Sequence, residues 1–111
     1  MMKKITIADD FSDEPAGRYY SDGRYSGERF RKEFLVDTLK CNEKVTIDFD
    51  RTEGYGSSFL EEAFGGLISK EGFLSQNLHN QFLFISNEDA SVIKEVWSYI
   101  DTAIPKVKDA K

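Results

Sequence analysis

The chain has 111 residues, 40% hydrophobic and 32% charged, which is enough apolar material for one domain and too much for a wholly disordered chain. Fifteen Lys and Arg against twenty Asp and Glu give a formal charge of −5, which argues against a protein that wraps nucleic-acid phosphates over a large surface. The single cysteine, Cys41, has no intramolecular partner, no apolar run reaches the roughly 18 to 20 residues that span a bilayer, and no secretory leader is legible. A cytoplasmic protein with no membrane role is the expectation.

Ile5-Thr6-Ile7 alternates apolar and polar and predicts a short first strand, followed by an acidic loop at Asp9, Asp10, Asp13 and Glu14. In RYYSDGRY, Asp22-Gly23 between Tyr-rich flanks predicts a hairpin or a partly extended loop at 18–25. Ser26 and Glu28 open a helix over 26–40, because Phe30, Phe34, Leu35 and Leu39 recur near a 3.6-residue period. Val45, Ile47 and Phe49 alternate in KVTIDFD as a strand, and the run Phe82-Leu83-Phe84-Ile85 suits a central strand covered on both faces. Between them, Phe59, Leu60, Ala63, Phe64, Leu67 and Ile68 predict an amphipathic helix over 57–70, where Gly65 and Gly66 imply either loosening or the close approach of another backbone. A last helix starts near Asn87, Glu88 and Asp89, buries Ile93, Val96, Trp97, Ile100 and Ile104, and is ended by Pro105. Strands alternating with helices imply a single α/β domain over 1–104, with a mixed or mostly parallel sheet, three main helices and a flexible tail at 105–111.

Sheets of this kind place functional loops at the carboxyl ends of their strands. Here that loop is EGYGSSFLEEAFGGL, 53–67. Ser58 and Glu61 match the S-x-x-E capping box, which leaves the Ser57 hydroxyl uncommitted one step before the helix. A phosphate on Ser57 would meet free backbone N–H groups and the positive end of the helix, and Gly54 and Gly56 would let a partner's backbone approach.

The segments GRYYSDGRYSGERFR, 17–31, and VTIDFDRTEGYGSSFLEEAFGGLI, 45–68, resemble the bacterial STAS-like domain family of unknown function, over about residues 10 to 100. The wider STAS group includes anti-sigma-factor antagonists with an apolar strand ending in Asp, then Asp-Ser-Ser-Gly and a helix. In register, Asp48 meets the strand-end Asp, Ser57-Ser58 the serine pair and Leu60 the first helical leucine, while Gly56 and Phe59 replace the motif's Asp and Gly. The resemblance implies a non-enzymatic regulatory module that needs no cofactor or metal, phosphorylated at Ser57 by a partner kinase. The implied partner is a histidine-kinase-like ATPase or an anti-sigma factor. It also implies that Arg18, Ser26 and Gly27, with Gly54, Tyr55 and Gly56, form the partner-binding surface beside the serines.

Two other chemistries have sequence signals. Asp48-Phe49-Asp50-Arg51-Thr52 reads D-x-D-x-T, the strand-end pattern of Mg²⁺-dependent phosphohydrolases, with Ser86 in the place of their second motif. The 111 residues offer no later strand ending in the acidic pair such an enzyme needs. Arg18, Arg24, Arg29, Arg31 and Lys32 interleaved with Tyr19, Tyr20 and Tyr25 could form a basic aromatic surface for nucleic acid or for a protein partner. His79, in the polar LHNQ segment, reads as an ordinary loop residue, and Cys41 as a buried or helix-end thiol.

Overall fold

The computed structural model describes residues 1–106. Three strands, β1 (Met2–Thr6), β2 (Lys44–Asp48) and β3 (Phe82–Ile85), form one sheet in the order β1-β2-β3 with both pairings parallel. The sheet expected to be mixed or mostly parallel is therefore all parallel among the described residues. Its register lines up Lys3, Val45 and Phe82, then Ile5, Ile47 and Phe84, so five apolar residues face one side together and are buried there. Two successive right-handed crossovers in the same direction put both helical connections on that one face. The other face carries Met2, Lys4, Thr46 and Leu83 and stays open, with Leu83 61% exposed. The expectation for Phe82–Ile85 is corrected accordingly: β2 is the central strand, while β3 is an edge strand covered on one side.

Among the described residues four helices make the second layer: 27–41, 57–69, Ser75–Gln81 and Ser91–Thr102. The helix 57–69 is central. It touches the first long helix through Phe30, whose ring lies 6.0 Å from Phe59 and 6.1 Å from Phe64, and the sheet through Phe64, 5.7 Å from Phe84. The two helices pack closely because Gly27 has no side chain: a Cβ there would lie 2.5 Å from the Phe59 carbonyl oxygen. The loosening inferred for Gly65 and Gly66 occurs, and the close approach of another backbone occurs at Gly65, where a Cβ would lie 3.3 Å from the Tyr99 carbonyl oxygen. The central helix widens into a π turn over Glu61–Gly65, and Gly66 leaves the space that the Arg31 side chain fills. The first long helix widens in the same way over Arg31–Leu35.

Several local expectations change. The first strand lies at Met2–Thr6, and Ile7 already begins a helical turn, Ile7–Asp10, whose Asp10 carboxylate accepts the Thr6 N–H at 2.8 Å. No hairpin forms at 18–25. The Asp22 carboxylate takes the backbone N–H groups of Arg18 (3.2 Å) and Tyr19 (2.9 Å) around a single 3₁₀ turn, Tyr20–Asp22, which replaces a cross-strand ladder. Ser75–Gln81 is a helix where a loop was expected, because Leu78 is fully buried and His79 stacks on Trp97 at 3.9 Å, so tertiary contacts outweigh a polar sequence. The last helix buries Val92, Val96 and Ile100, and it stops at Thr102 with an extended Ala103, which leaves Ile104 78% exposed instead of in the buried stripe. Lys106 N–H bonds the Ile68 carbonyl at 3.2 Å; residues 107–111 of the expected tail lie outside the described residues. No helix of the described residues is long and apolar enough to cross a membrane.

Candidate functional site

The loop between β2 and the central helix sits at the carboxyl end of the sheet and is braced on several sides. Arg51 adopts the left-handed conformation (φ 70°), which costs a non-glycine residue about 1 kcal/mol. Its guanidinium holds Asp9 through two bonds of 2.9 and 2.8 Å, and its N–H bonds the Glu88 carboxylate at 2.9 Å. The Glu53 N–H reaches the Asp13 carbonyl at 2.7 Å. The Tyr55 hydroxyl donates to the Phe49 carbonyl at 2.8 Å while its ring packs edge-on against Phe49, and burial pushes this phenol well above its usual pKa. Gly54, exposed at φ 125°, supplies the turn that delivers Gly56 to the helix.

The helix begins two residues earlier than the capping-box reading required. Gly56 is the extended cap (φ −74°, ψ 149°), the Leu60 N–H bonds its carbonyl at 3.2 Å, and no side chain caps the helix. Ser58 is therefore not the cap. Glu61 does not reach back to it, because Arg18 holds the Glu61 carboxylate at 3.0 Å. Ser57 and Ser58 are both exposed in the first turn, and the Tyr99 phenol lies near Ser57. Tyr99 donates to Glu95 at 2.7 Å; burial and then that carboxylate push its pKa up.

The partner-binding candidates divide. Arg18 lies on the loop 17–27 and reaches the central helix one turn beyond Ser57. Ser26 and Gly27 are buried. Ser26 is the N-cap of its own helix, accepting the Arg29 N–H at 3.2 Å, and Gly27 backs onto Phe59, so neither offers a side chain to a partner. Tyr55 is half-buried and committed to Phe49, while Gly54 and Gly56 remain exposed. The structure thus brings Arg18, Gly54, Gly56 and Ser57 to one end of the central helix and withdraws the other three into packing.

Sequence reasoning missed the charge network beneath this surface. Arg31, 1% exposed, donates to the Glu62 carboxylate at 2.8 Å, to the Glu62 carbonyl at 2.6 Å and to Glu71 at 2.9 Å. Lys70 reaches the same Glu62 oxygen at 2.7 Å, and Arg18 approaches the other at 3.7 Å. Burial pushes the Glu62 carboxyl up, but Lys70 and Arg31 outweigh it and hold its pKa below the usual value. Above the network an open cleft of about 400 Å³ runs between loop and helices, lined by Arg18, Tyr19, Glu61, Lys70 and Tyr99 among others. A signal was present, since Arg31 stands four residues before Leu35 on the apolar face of its helix.

Most of the basic aromatic series is engaged within the chain, with Arg24 and Arg29 lying over the Tyr25 ring. Arg18, Arg29, Arg31 and Lys32 are each paired with a glutamate, and among the described residues only Arg24 of that series forms no ion pair. The D-x-D-x-T carboxylates serve the loop. Asp48 accepts the Asp50 N–H at 3.0 Å, and Asp50 accepts from the Glu88 N–H (2.9 Å) and the Asn87 amide (3.0 Å), which hold the Asp50 carboxyl below its usual pKa. Ser86 donates to the Asp89 carbonyl at 2.6 Å. Among the described residues no group of three His, Cys, Asp or Glu side chains could hold a metal ion. Cys41 ends its helix exposed, and His79 bonds Asp101 at 2.8 Å.

A parallel sheet, a braced loop after its central strand and a serine-led helix can now be set beside known families. The family model of the STAS-like domain of unknown function (DUF4325) matches residues 26–92, well over half of the chain. The chain belongs to this family. The match runs from the Ser26 cap through the serine loop to Val92 in the last helix; of the candidate site it leaves out Asp9, Asp13, Arg18, Tyr19, Glu95 and Tyr99. No curated protein and no solved structure matches the chain. The STAS-like assignment agrees with the small α/β architecture of a three-stranded parallel sheet under several helices.

Proposed function

We propose that this STAS-like domain is a regulatory module that acts by binding another protein and is switched by phosphorylation of Ser57. The observation that carries the reading is the position of Ser57: exposed, in the first turn of a helix that no side chain caps, on the loop after the central strand. In the reaction the Ser57 hydroxyl oxygen takes the γ-phosphoryl of ATP, loses its proton and releases ADP. The product carries roughly two negative charges at neutral pH. Glu61 lies four residues on, on the same helix face, and Glu95 lies across Tyr99, so the new charge enters an acidic neighbourhood. Arg18 would be drawn from Glu61 to the phosphate, which an arginine binds more strongly than a carboxylate in water. Loop 17–27 would move with it, changing the surface a partner reads.

The proposed partner is a regulatory protein, a histidine-kinase-like ATPase or an anti-sigma factor, as the resemblance to anti-sigma-factor antagonists implies. Incubation with candidate kinases and ATP is expected to add about 80 Da, a gain that Ser57→Ala removes. Retention of the gain in Ser57→Ala, or no gain with any kinase that binds the domain, would refute the switch.

A further inference from the structure

The two edges of the sheet are unlike. β1 carries Lys3 and Lys4, charges of the kind that keep an edge strand from pairing with another chain, whereas β3 reads Phe82-Leu83-Phe84-Ile85 with neither charge nor proline. Among the described residues β3 pairs only with β2, so its outer backbone groups have no partner strand. Beside that edge Leu83 is exposed on the open face, and Trp97 is half-buried with its ring 4.7 Å from Phe84.

We propose that this surface docks a second copy of the chain, β3 pairing antiparallel with β3 of the other copy about a twofold axis at Leu83. The six strands would then form one sheet. Antiparallel pairing sets opposed residues on the same face, so a twofold at Leu83 places Leu83 against Leu83 on the open side and Phe82 against Phe84 on the helix side. Charge agrees with this symmetry. At 100° per residue, Trp97, Asp101 and Lys94 fall within a sector of about 60° on the last helix. Lys94 and Asp101 are exposed and lie about two turns apart along the helix within that sector, and a twofold turns the Lys94 end of one helix toward the Asp101 end of the other. The surface is separate from the Ser57 switch, because Tyr99, which faces Ser57, lies on the other side of the same helix.

A four-residue strand is about 13 Å long and the helix about 18 Å, so the shared patch is small and the association is expected to be weak and concentration-dependent. Sedimentation equilibrium of the full chain from about 1 to 500 µM tests it. The average mass should rise from one chain toward two. Leu83→Lys, at an exposed site, should raise the midpoint concentration about tenfold or more while thermal stability is kept. Lys94→Glu, at an exposed site with no ion pair among the described residues, should also weaken association. A monomer at every concentration, or a dimer that both Leu83→Lys and Lys94→Glu leave unchanged, overturns the proposal; the second result would put self-association on another face.

Discussion

Gly27→Ala tests whether that glycine serves helix packing or a partner. Its added Cβ would lie 2.5 Å from the Phe59 carbonyl oxygen and 3.1 Å from the Ala63 nitrogen, both backbone atoms of the central helix. Ordinary contact is about 3.5 Å or more, so the two helices would have to separate by about 1 Å. Overpacking of this kind costs about 1 to 3 kcal/mol, and alanine's helix preference over glycine returns at most about 1 kcal/mol, less in the first turn. The net loss is about 1 to 2 kcal/mol. In a domain of this size that lowers the melting temperature by roughly 5 to 15 °C.

Gly56→Ala is the matched control. A Cβ at Gly56 meets nothing within 4 Å, and φ −74°, ψ 149° is open to any residue. The small loss of a favoured cap residue and the gain from a less flexible unfolded chain, each about 0.5 kcal/mol, nearly cancel. Thermal unfolding followed by far-ultraviolet circular dichroism should leave Gly56→Ala within about 3 °C of the parent and bring Gly27→Ala well below it. Equal melting temperatures for the two variants would refute the packing argument and return Gly27 to the list of partner contacts.

Glu62→Ala leaves the Arg31 guanidinium buried without its main partner and should cost about 3 to 5 kcal/mol, whereas Arg31→Met combined with Glu62→Leu should recover most of that loss in urea unfolding. Because the Glu62 pKa is depressed in the folded state, its contribution is present above the ordinary glutamate range and is lost as pH falls through roughly 4 and below; the acid-induced fall in stability should be shallower in Glu62→Gln. Ser58→Ala should change stability by less than about 0.5 kcal/mol, because Ser58 lies inside the helix and caps nothing, where the capping-box assignment would predict about 1 kcal/mol.

The strands and the three long helices were legible because they rest on local periodicity: Val45, Ile47 and Phe49 alternate, and Phe59 to Ile68 repeat at helical spacing. What periodicity does not carry is how many faces of an element are covered. Phe82-Leu83-Phe84-Ile85 reads as a strand buried on both sides, yet the strand order β1-β2-β3 puts every crossover on one face and leaves Leu83 in solvent. Ser75–Gln81 was illegible for the opposite reason. Its sequence has no apolar stripe, and what holds the helix is a single buried Leu78 with the His79–Trp97 stack and the Asp101 contacts, all supplied by distant residues.

The candidate site shows the same division more sharply, because a shift of two residues in the helix start changes the roles of both serines. S-x-x-E is a local pattern, and it would hold if the helix began at Phe59. The start is instead set by Gly56, whose carbonyl takes the Leu60 N–H, and by Arg18, which removes the Glu61 carboxylate from the reach of Ser58. Ser57 and Ser58 thus become neighbours in one exposed first turn, neither tied up by capping. The ground for choosing between them moves from the cap to the surroundings: Ser57 shares a helix face with Glu61, with Tyr99 nearby, and so lies between the Arg18–Glu61 and Tyr99–Glu95 pairs. Ser58 stands four residues before the buried Glu62, whose oxygens are already held by Arg31 and Lys70. A charge added at Ser57 can act on an exposed surface pair, whereas one added at Ser58 faces a network that packing has already fixed, which is the physical reason to propose Ser57 as the switch.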